Sequence, residues 1–209
     1  MLSVGISGGM GSGKSLICQI FNLLGIPIYN SDYHAKRIME DDEMVRTEII
    51  RLLGPESYFA DDILNKKYIA NKIFNDTILL TKLNQIVHPA VKRDAEYWKN
   101  YLPENQPYFI RESAILFETG IYKQLDYNIL VTAPESIRIK RIQKRDGLSS
   151  EEIKARLDQQ WTEEKKIPLS DFQIVNDGEL FLLPQVLKIH QILKKYSLMQ
   201  AGKQQDIVP

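Results

Sequence analysis

Residues 8–15 read Gly-Gly-Met-Gly-Ser-Gly-Lys-Ser and satisfy G-x-x-x-x-G-K-[ST] at every fixed position. A chain carrying this octapeptide has few ways to fold around it. Backbone N–H groups must wrap a phosphate tail at close range, and glycine allows both the approach and the unusual dihedrals. A strand must deliver the loop, and a helix must leave it with its positive end on the anion. The flanks meet both demands. Residues 2–7 (LSVGIS) read as a short strand buried on both faces, and SLICQIFNLLG reads as a helix stopped at Gly25. A second short strand at 26–29 (IPIY) completes β-loop-α-β, the opening of an α/β fold with a parallel sheet. Lys14 is placed to set a point charge on the β- and γ-phosphates, and Ser15 to coordinate Mg²⁺. The motif specifies a nucleotide and a metal. It leaves kinase, motor, switch and ATPase open.

From Ser31 to about Leu102 the pattern is helical. Ile38, Val45, Ile49, Leu52 and Leu53 recur at helical spacing, as do Ile69, Ile73, Leu79, Leu83 and Ile86. Gly54-Pro55 breaks this stretch, and His88-Pro89 is expected to start a new helix with proline near its first turn. The α/β core resumes with strands at 108–112 (YFIRE) and 127–133 (YNILVTA). Pro134 opens a helix that Gly147 ends. Ser150, with Glu151 and Glu152, is predicted to cap the next helix. A last strand is expected at 171–176 (DFQIVN), a last helix from Glu179 to about Leu198, and a frayed polar tail beyond it.

A chain of 209 residues fits one domain with a sizeable insertion and needs no covalent staple. Lys plus Arg and Asp plus Glu both number 27, so no global charge favours nucleic acid or an anionic membrane, and phosphate chemistry must come from local charge. One cysteine, Cys18, cannot form an internal disulfide and fits a cytoplasmic protein. No leader pattern is present, and no apolar run approaches the ~20 residues of a membrane span. A small-molecule substrate is expected, with no obligate protein partner.

Several local clusters bear on the chemistry. The nearest approach to a guanine-reading N-K-x-D is Asn65-Lys66-Lys67-Tyr68, which lacks the acid. The Asn30-Ser31-Asp32 turn follows the second strand. Strand ends in a parallel sheet share an edge with the phosphate loop, so Asp32 is a candidate to accept a proton from an attacking hydroxyl. A helix N-cap is its competing role. Arg138, Lys140, Arg141, Lys144 and Arg145 place five cations in eight residues. Arg138, Arg141 and Arg145 share a helix face, suited to a phosphoryl group in transfer or simply to solvent. Asp146-Gly147 then forms a plausible hinge before a charged helical hairpin, a layout for a lid that excludes water. Glu112 and Glu118 follow apolar runs and are candidates for a magnesium-bound water or a substrate group, or for helix-start acids. His88 has no Cys/His ligand spacing around it.

Taken in order, these residues resemble the dephospho-coenzyme A kinase family. The features are the loop at 8–15, the turn at Asp32, Ile86-Val87-His88-Pro89, Ile115 to Gly120 (ILFETG) and Lys140-Arg141 with Arg145-Asp146. Arg156-Leu157 with Gln159-Gln160 and Asn176-Asp177-Gly178 complete the set. The resemblance implies a P-loop, nucleoside-monophosphate-kinase-like fold, three-layered α/β/α with a five-stranded parallel sheet. It implies a nucleotide-binding core (1–30, 103–137, 167–198), a coenzyme-A-binding helical region (31–102), a lid (138–166) and a flexible tail (199–209). The implied activity is ATP- and Mg²⁺-dependent phosphorylation of the ribose 3′-hydroxyl of dephospho-coenzyme A. Alternatives are another small acceptor, such as a nucleoside monophosphate or sugar acid, or a non-catalytic nucleotide-binding module. By the same resemblance Gly9, Met10, Gly11, Ser12, Gly13, Lys14 and Ser15 hold the phosphates and metal, and Asp32 is the base. Arg141 and Arg145 are lid arginines, and Asn176 to Gly178 lie beside the adenine. Tyr33, His88, Arg93 and Glu118 are candidate acceptor contacts. Two departures stand out. The family's Asp-Ala-Asp reads Asn30-Ser31-Asp32, and its Pro-Leu-Leu reads Ala114-Ile115-Leu116.

Overall fold

Five strands, β1 (Leu2–Gly8), β2 (Ile28–Asn30), β3 (Tyr108–Glu112), β4 (Tyr127–Thr132) and β5 (Phe172–Val175), form one sheet in the order β2-β3-β1-β4-β5. This is a computed structural model, and it describes residues 1–74 and 76–205. Helix α1 (Lys14–Leu23) follows β1. Helices α2 (Ser31–Asp41), α3 (Glu43–Leu53), α4 (Lys66–Ile73) and α5 (Thr77–Lys99) lie between β2 and β3 in the chain. Helices α6 (Glu135–Asp146), α7 (Ser150–Leu157) and α8 (Glu163–Lys166) lie between β4 and β5, and α9 (Leu182–Gln205) comes last. The chain divides into two compact units: Met1–Tyr29 with everything from Leu102 onward, and Asn30–Tyr101. Among the described residues no helix is long and apolar enough to cross a membrane.

In the first unit β1 is the central strand, parallel to β3 on one side (Leu2 opposite Tyr108) and to β4 on the other (Val4 opposite Tyr127). In β1 large apolar residues on one face alternate with Ser3, Gly5 and Ser7 on the other, and the strand is buried along nearly its whole length. Leu2, Val4 and Ile6 project to one face and pack with Ile17 and Phe21 of α1 and Val186, Ile189 and Leu193 of α9. Tyr108 of β3 is fully buried there, edge-on to Phe21, and its hydroxyl meets His190 Nδ1 at 2.6 Å.

The second strand starts later than the sequence suggests. Pro27 has no N–H to give a ladder, and Ile26 N–H closes the end of α1 on Phe21 O, so pairing begins with Ile110 N–H on Pro27 O (2.9 Å). The cap of α7 is Ser149 rather than Ser150, in a full capping box with Glu152. The last helix starts at Leu182, not Glu179, because the Asp177 carboxylate accepts the N–H groups of Glu179 and Leu180 and holds a turn there. That helix continues to Gln205 where a frayed tail was expected from 199; residues 206–209 lie outside the described residues.

The second unit is a set of amphipathic helices with a shared apolar interior. Ile38, Val45, Ile49, Leu53, Ile69, Leu83, Val87 and Val91 are all buried. Side-chain caps start each helix: Asn30 for α2, Asp42 for α3, Asn65 for α4 and Asp76 for α5. Asp94 of α5 binds two residues of α2, Arg37 at 2.6 Å and His34 Nδ1 at 2.7 Å. Here one expectation fails. No new helix starts at His88-Pro89; α5 runs through Pro89 as one helix. An interior proline costs about 3 kcal/mol through a lost hydrogen bond and a clash with the preceding turn. The buried stripe Leu83, Val87, Ala90, Val91 and Ala95 keeps its register on both sides of Pro89, and burial of those side chains outweighs that cost.

Candidate active site

The octapeptide is the connection from β1 to α1. Gly13 caps α1 in the left-handed region (φ 94°), and a side chain there would also run into Asn176. Ser12 N–H turns back to Gly9 O at 3.1 Å. Three successive carbonyls of the loop accept side-chain donors from outside it. Met10 O accepts Arg138 Nε at 3.0 Å, Gly11 O accepts Arg141 Nη1 at 3.4 Å, and Ser12 O accepts Asn176 Nδ2 at 2.7 Å. In a planar trans peptide the next N–H points opposite to the carbonyl. The amides of Gly11 and Gly13 are therefore aimed away from these donors, and the first N–H groups of α1 join them. That arrangement is an anion cradle. A Cβ at Gly9 would meet the Arg138 guanidinium, so a side chain there would displace that arginine from the loop.

Lys14 Nζ folds back over the loop to Gly8 O (2.7 Å) and Gly9 O (3.5 Å). Ser15 is exposed in the first turn of α1, and the Ser12 hydroxyl is buried with no hydrogen-bond partner. These residues fit a nucleotide's phosphates and a magnesium ion. Among the described residues no group of three or more His, Cys, Asp or Glu is placed to hold a metal. A magnesium ion held by Ser15 and the phosphates needs none, since Mg²⁺ keeps several waters and takes few protein ligands.

The structure brings Arg141 and Asn176 to the loop. Arg141 Nη2 also reaches Asn176 Oδ1 (3.0 Å) and O (3.2 Å), so the two act as one brace. Arg145, one helical turn on, instead donates two hydrogen bonds to the Asp146 carboxylate, at 2.7 and 2.8 Å, on the exposed side. Gly178 is exposed with φ 89°. Glu112 is buried at the end of β3, opposite Ile6 of β1. Glu118 accepts Trp161 N–H (2.9 Å) and pairs with fully buried Lys166 (2.7 Å).

In the other unit, Asp32 is an exposed residue of the first turn of α2. It does not cap the helix. Asn30 does, accepting Tyr33 N–H at 2.8 Å. Tyr33 is exposed, and His88 is half-buried in α5. Arg93 lines a cavity of about 410 Å³ within this unit, together with Arg37, Asp41, Asp42, Asp94 and Tyr97. Burial lowers the His34 pKa despite the opposing pull of the Asp94 carboxylate.

Two further residues meet the loop, Arg138 and Gln160. Arg138 was visible as part of the basic face. Its guanidinium is also held by Glu163 (3.4 Å), whose pKa burial raises against the opposing bond from Ala133 N–H and the Arg138 charge. Gln160 lies between helices, where no periodicity marks it.

The dephospho-CoA kinase family model matches residues 2–181. The chain belongs to the dephospho-CoA kinase family. A dephospho-CoA kinase of Bacteroides fragilis is 35% identical over 188 residues, covering 90% of this chain and 91% of the relative. Among solved structures, TT1252 from Thermus thermophilus superposes with a TM-score of 0.82 at 32% identity, covering 91% of this chain and 96% of that one. Dephospho-CoA kinase from Campylobacter jejuni gives 0.68 at 26%, with 92% and 97% covered. The family carries a P-loop kinase core, and the sheet order and phosphate loop described above are that core.

Proposed function

We propose that the protein transfers the γ-phosphoryl group of ATP to the 3′-hydroxyl of the ribose of dephospho-CoA, releasing ADP and CoA. The observation that carries this is the braced phosphate loop of a chain in the dephospho-CoA kinase family. Within the loop at 9–15, the amides of Gly11, Gly13 and the start of α1 and the Lys14 ammonium hold the β- and γ-phosphates. Ser15 would hold Mg²⁺, which would supply charge neutralisation for the phosphates. Asp32 accepts the proton of the attacking hydroxyl as its oxygen bonds to phosphorus and the bridging oxygen leaves with ADP. Arg141 and Arg145 offset the charge on the phosphoryl oxygens, Arg145 by exchanging Asp146 for them. Asn176 to Gly178 border the adenine.

In this scheme residues 1–30, 103–137 and 167–198 form the nucleotide core, 31–102 take the acceptor with Tyr33, His88 and Arg93 among its contacts, and 138–166 act as a lid. Glu118 serves the acceptor side from the core. The lone, buried Cys18 suits a cytoplasmic setting. The test is coupled ADP release with dephospho-CoA against adenosine monophosphate under the same ATP and Mg²⁺. Release with the first and not the second is expected. The reverse pattern, or ADP release independent of any acceptor, refutes the assignment.

A further inference from the structure

Gln160 makes two bonds that join separate parts of the core. Its Oε1 accepts the Met10 N–H at 2.9 Å, and its Nε2 donates to Ala114 O at 3.3 Å. The carbonyl of Met10 meanwhile accepts Arg138 Nε at 3.0 Å. Met10 is thus bonded at both its backbone polar groups by side chains from two different elements. The Gln160 end is itself anchored. Trp161 N–H and the fully buried Lys166 share Glu118 Oε1, at 2.9 and 2.7 Å, so residues 160–166 are fixed to the 114–118 segment at more than one point.

The position of Met10 gives this clamp its meaning. Lys14 Nζ, the group the motif uses for the outer phosphates, lies against Gly8 O and Gly9 O. The terminal phosphate is therefore met at the Gly8–Met10 end of the loop, while the α1 amides meet the inner ones. We propose that Gln160 is a positioning residue for the transferred phosphoryl group, fixing the Met10 peptide at that end of the cradle and tying it to the 114–118 segment. The proposal rests on the phosphoryl-transfer reading above and adds a residue to it. Because the clamp acts only where the third phosphate lies, its loss should bear on ATP and on turnover and spare ADP.

Two variants of the full chain test this, Gln160→Leu and Gln160→Glu. Affinities for ATP and ADP are measured without acceptor, turnover with dephospho-CoA, and thermal midpoints alongside. For Gln160→Leu, turnover should fall about tenfold and the preference for ATP over ADP should shrink, with ADP affinity within about twofold of wild type. Gln160→Glu keeps the acceptor for Met10 N–H, loses the donor to Ala114 O and brings a charge near the terminal phosphate. Turnover should therefore fall in this variant too, with the ATP preference again reduced. Equal weakening of ATP and ADP, or turnover within about twofold of wild type in both variants, would each overturn the proposal. If the wild type shows no dephospho-CoA-dependent ADP release, the functional reading fails, while the ATP-to-ADP comparison still decides the role of Gln160.

Discussion

The two units of the molecule hold their candidate residues in opposite ways. Around the phosphate loop, the site is backbone: carbonyls of Met10, Gly11 and Ser12 are bonded from behind by Arg138, Arg141 and Asn176, and the working N–H groups follow from peptide geometry. In the helical unit, Asp32, Tyr33 and Arg93 are exposed side chains on ordinary capped helices, and the buried contacts serve packing. A site made of backbone needs many residues to hold it rigid. A site made of side chains needs only a helix in the right place and gains its geometry when a ligand arrives.

Substitutions should sharpen this contrast. The largest effect is expected from Asp32→Asn, which keeps size and removes the proton acceptor: turnover should drop about 10²–10⁴-fold with the ATP KM nearly unchanged. Turnover within a few-fold of wild type would leave the helical unit without its proposed catalytic group. Lys14→Ala should lower turnover about 10²–10³-fold and weaken ATP as well, in the same coupled assay. Arg141→Ala should cost about 10–100-fold, since a charged bond to the loop is lost, whereas Arg145→Ala should cost a few-fold. Equal losses at both would mean that Arg145 leaves Asp146 to join the site fully.

Stability probes give smaller effects. Pro89→Ala restores an N–H inside α5, at an exposed position, and should stabilise by about 2 kcal/mol. That corresponds to a thermal midpoint higher by about 4–8 °C. A lower midpoint would mean that the ring itself packs usefully. The smallest effect is a pH dependence shared between the units, each of which holds a histidine with a lowered pKa. Burial lowers His190 first, helped by Lys194, and burial lowers His34. Unfolded chains take up these protons near the ordinary value of 6.5, before the folded protein does. Stability should be level above that pH and decline as the pH falls through the folded values. His190→Gln and His34→Gln should each flatten part of the decline in melts run from pH 8 to pH 5.

What was legible in the sequence follows the same division. The octapeptide and the short strand before it announce the loop and its sheet, because a side chain at Gly8 would strike the Val131 carbonyl and Gly13 needs a positive φ. The Pro89 break was misread because proline acts locally, whereas the stripe from Leu83 to Ala95 holds the helix through tertiary packing. Asn30 was read as a departure from a family pattern, and only the helix start reveals it as a cap. Gln160 was legible only as one residue of the family resemblance; what its amide does shows only in its two partners, 46 and 150 residues away.

The placing of β1 at the centre of the sheet has a consequence for synthesis. Its partners β3 and β4 begin more than a hundred residues later, and α9 closes the same core later still. A nascent chain therefore emerges with its central strand unmatched. The intervening helices, a contiguous stretch held by short-range bonds, are free to condense first, since local contacts form fastest. Assembly of the sheet must wait until the segments of β3 and β4 have been made, and β1 is the strand that stays unpaired longest.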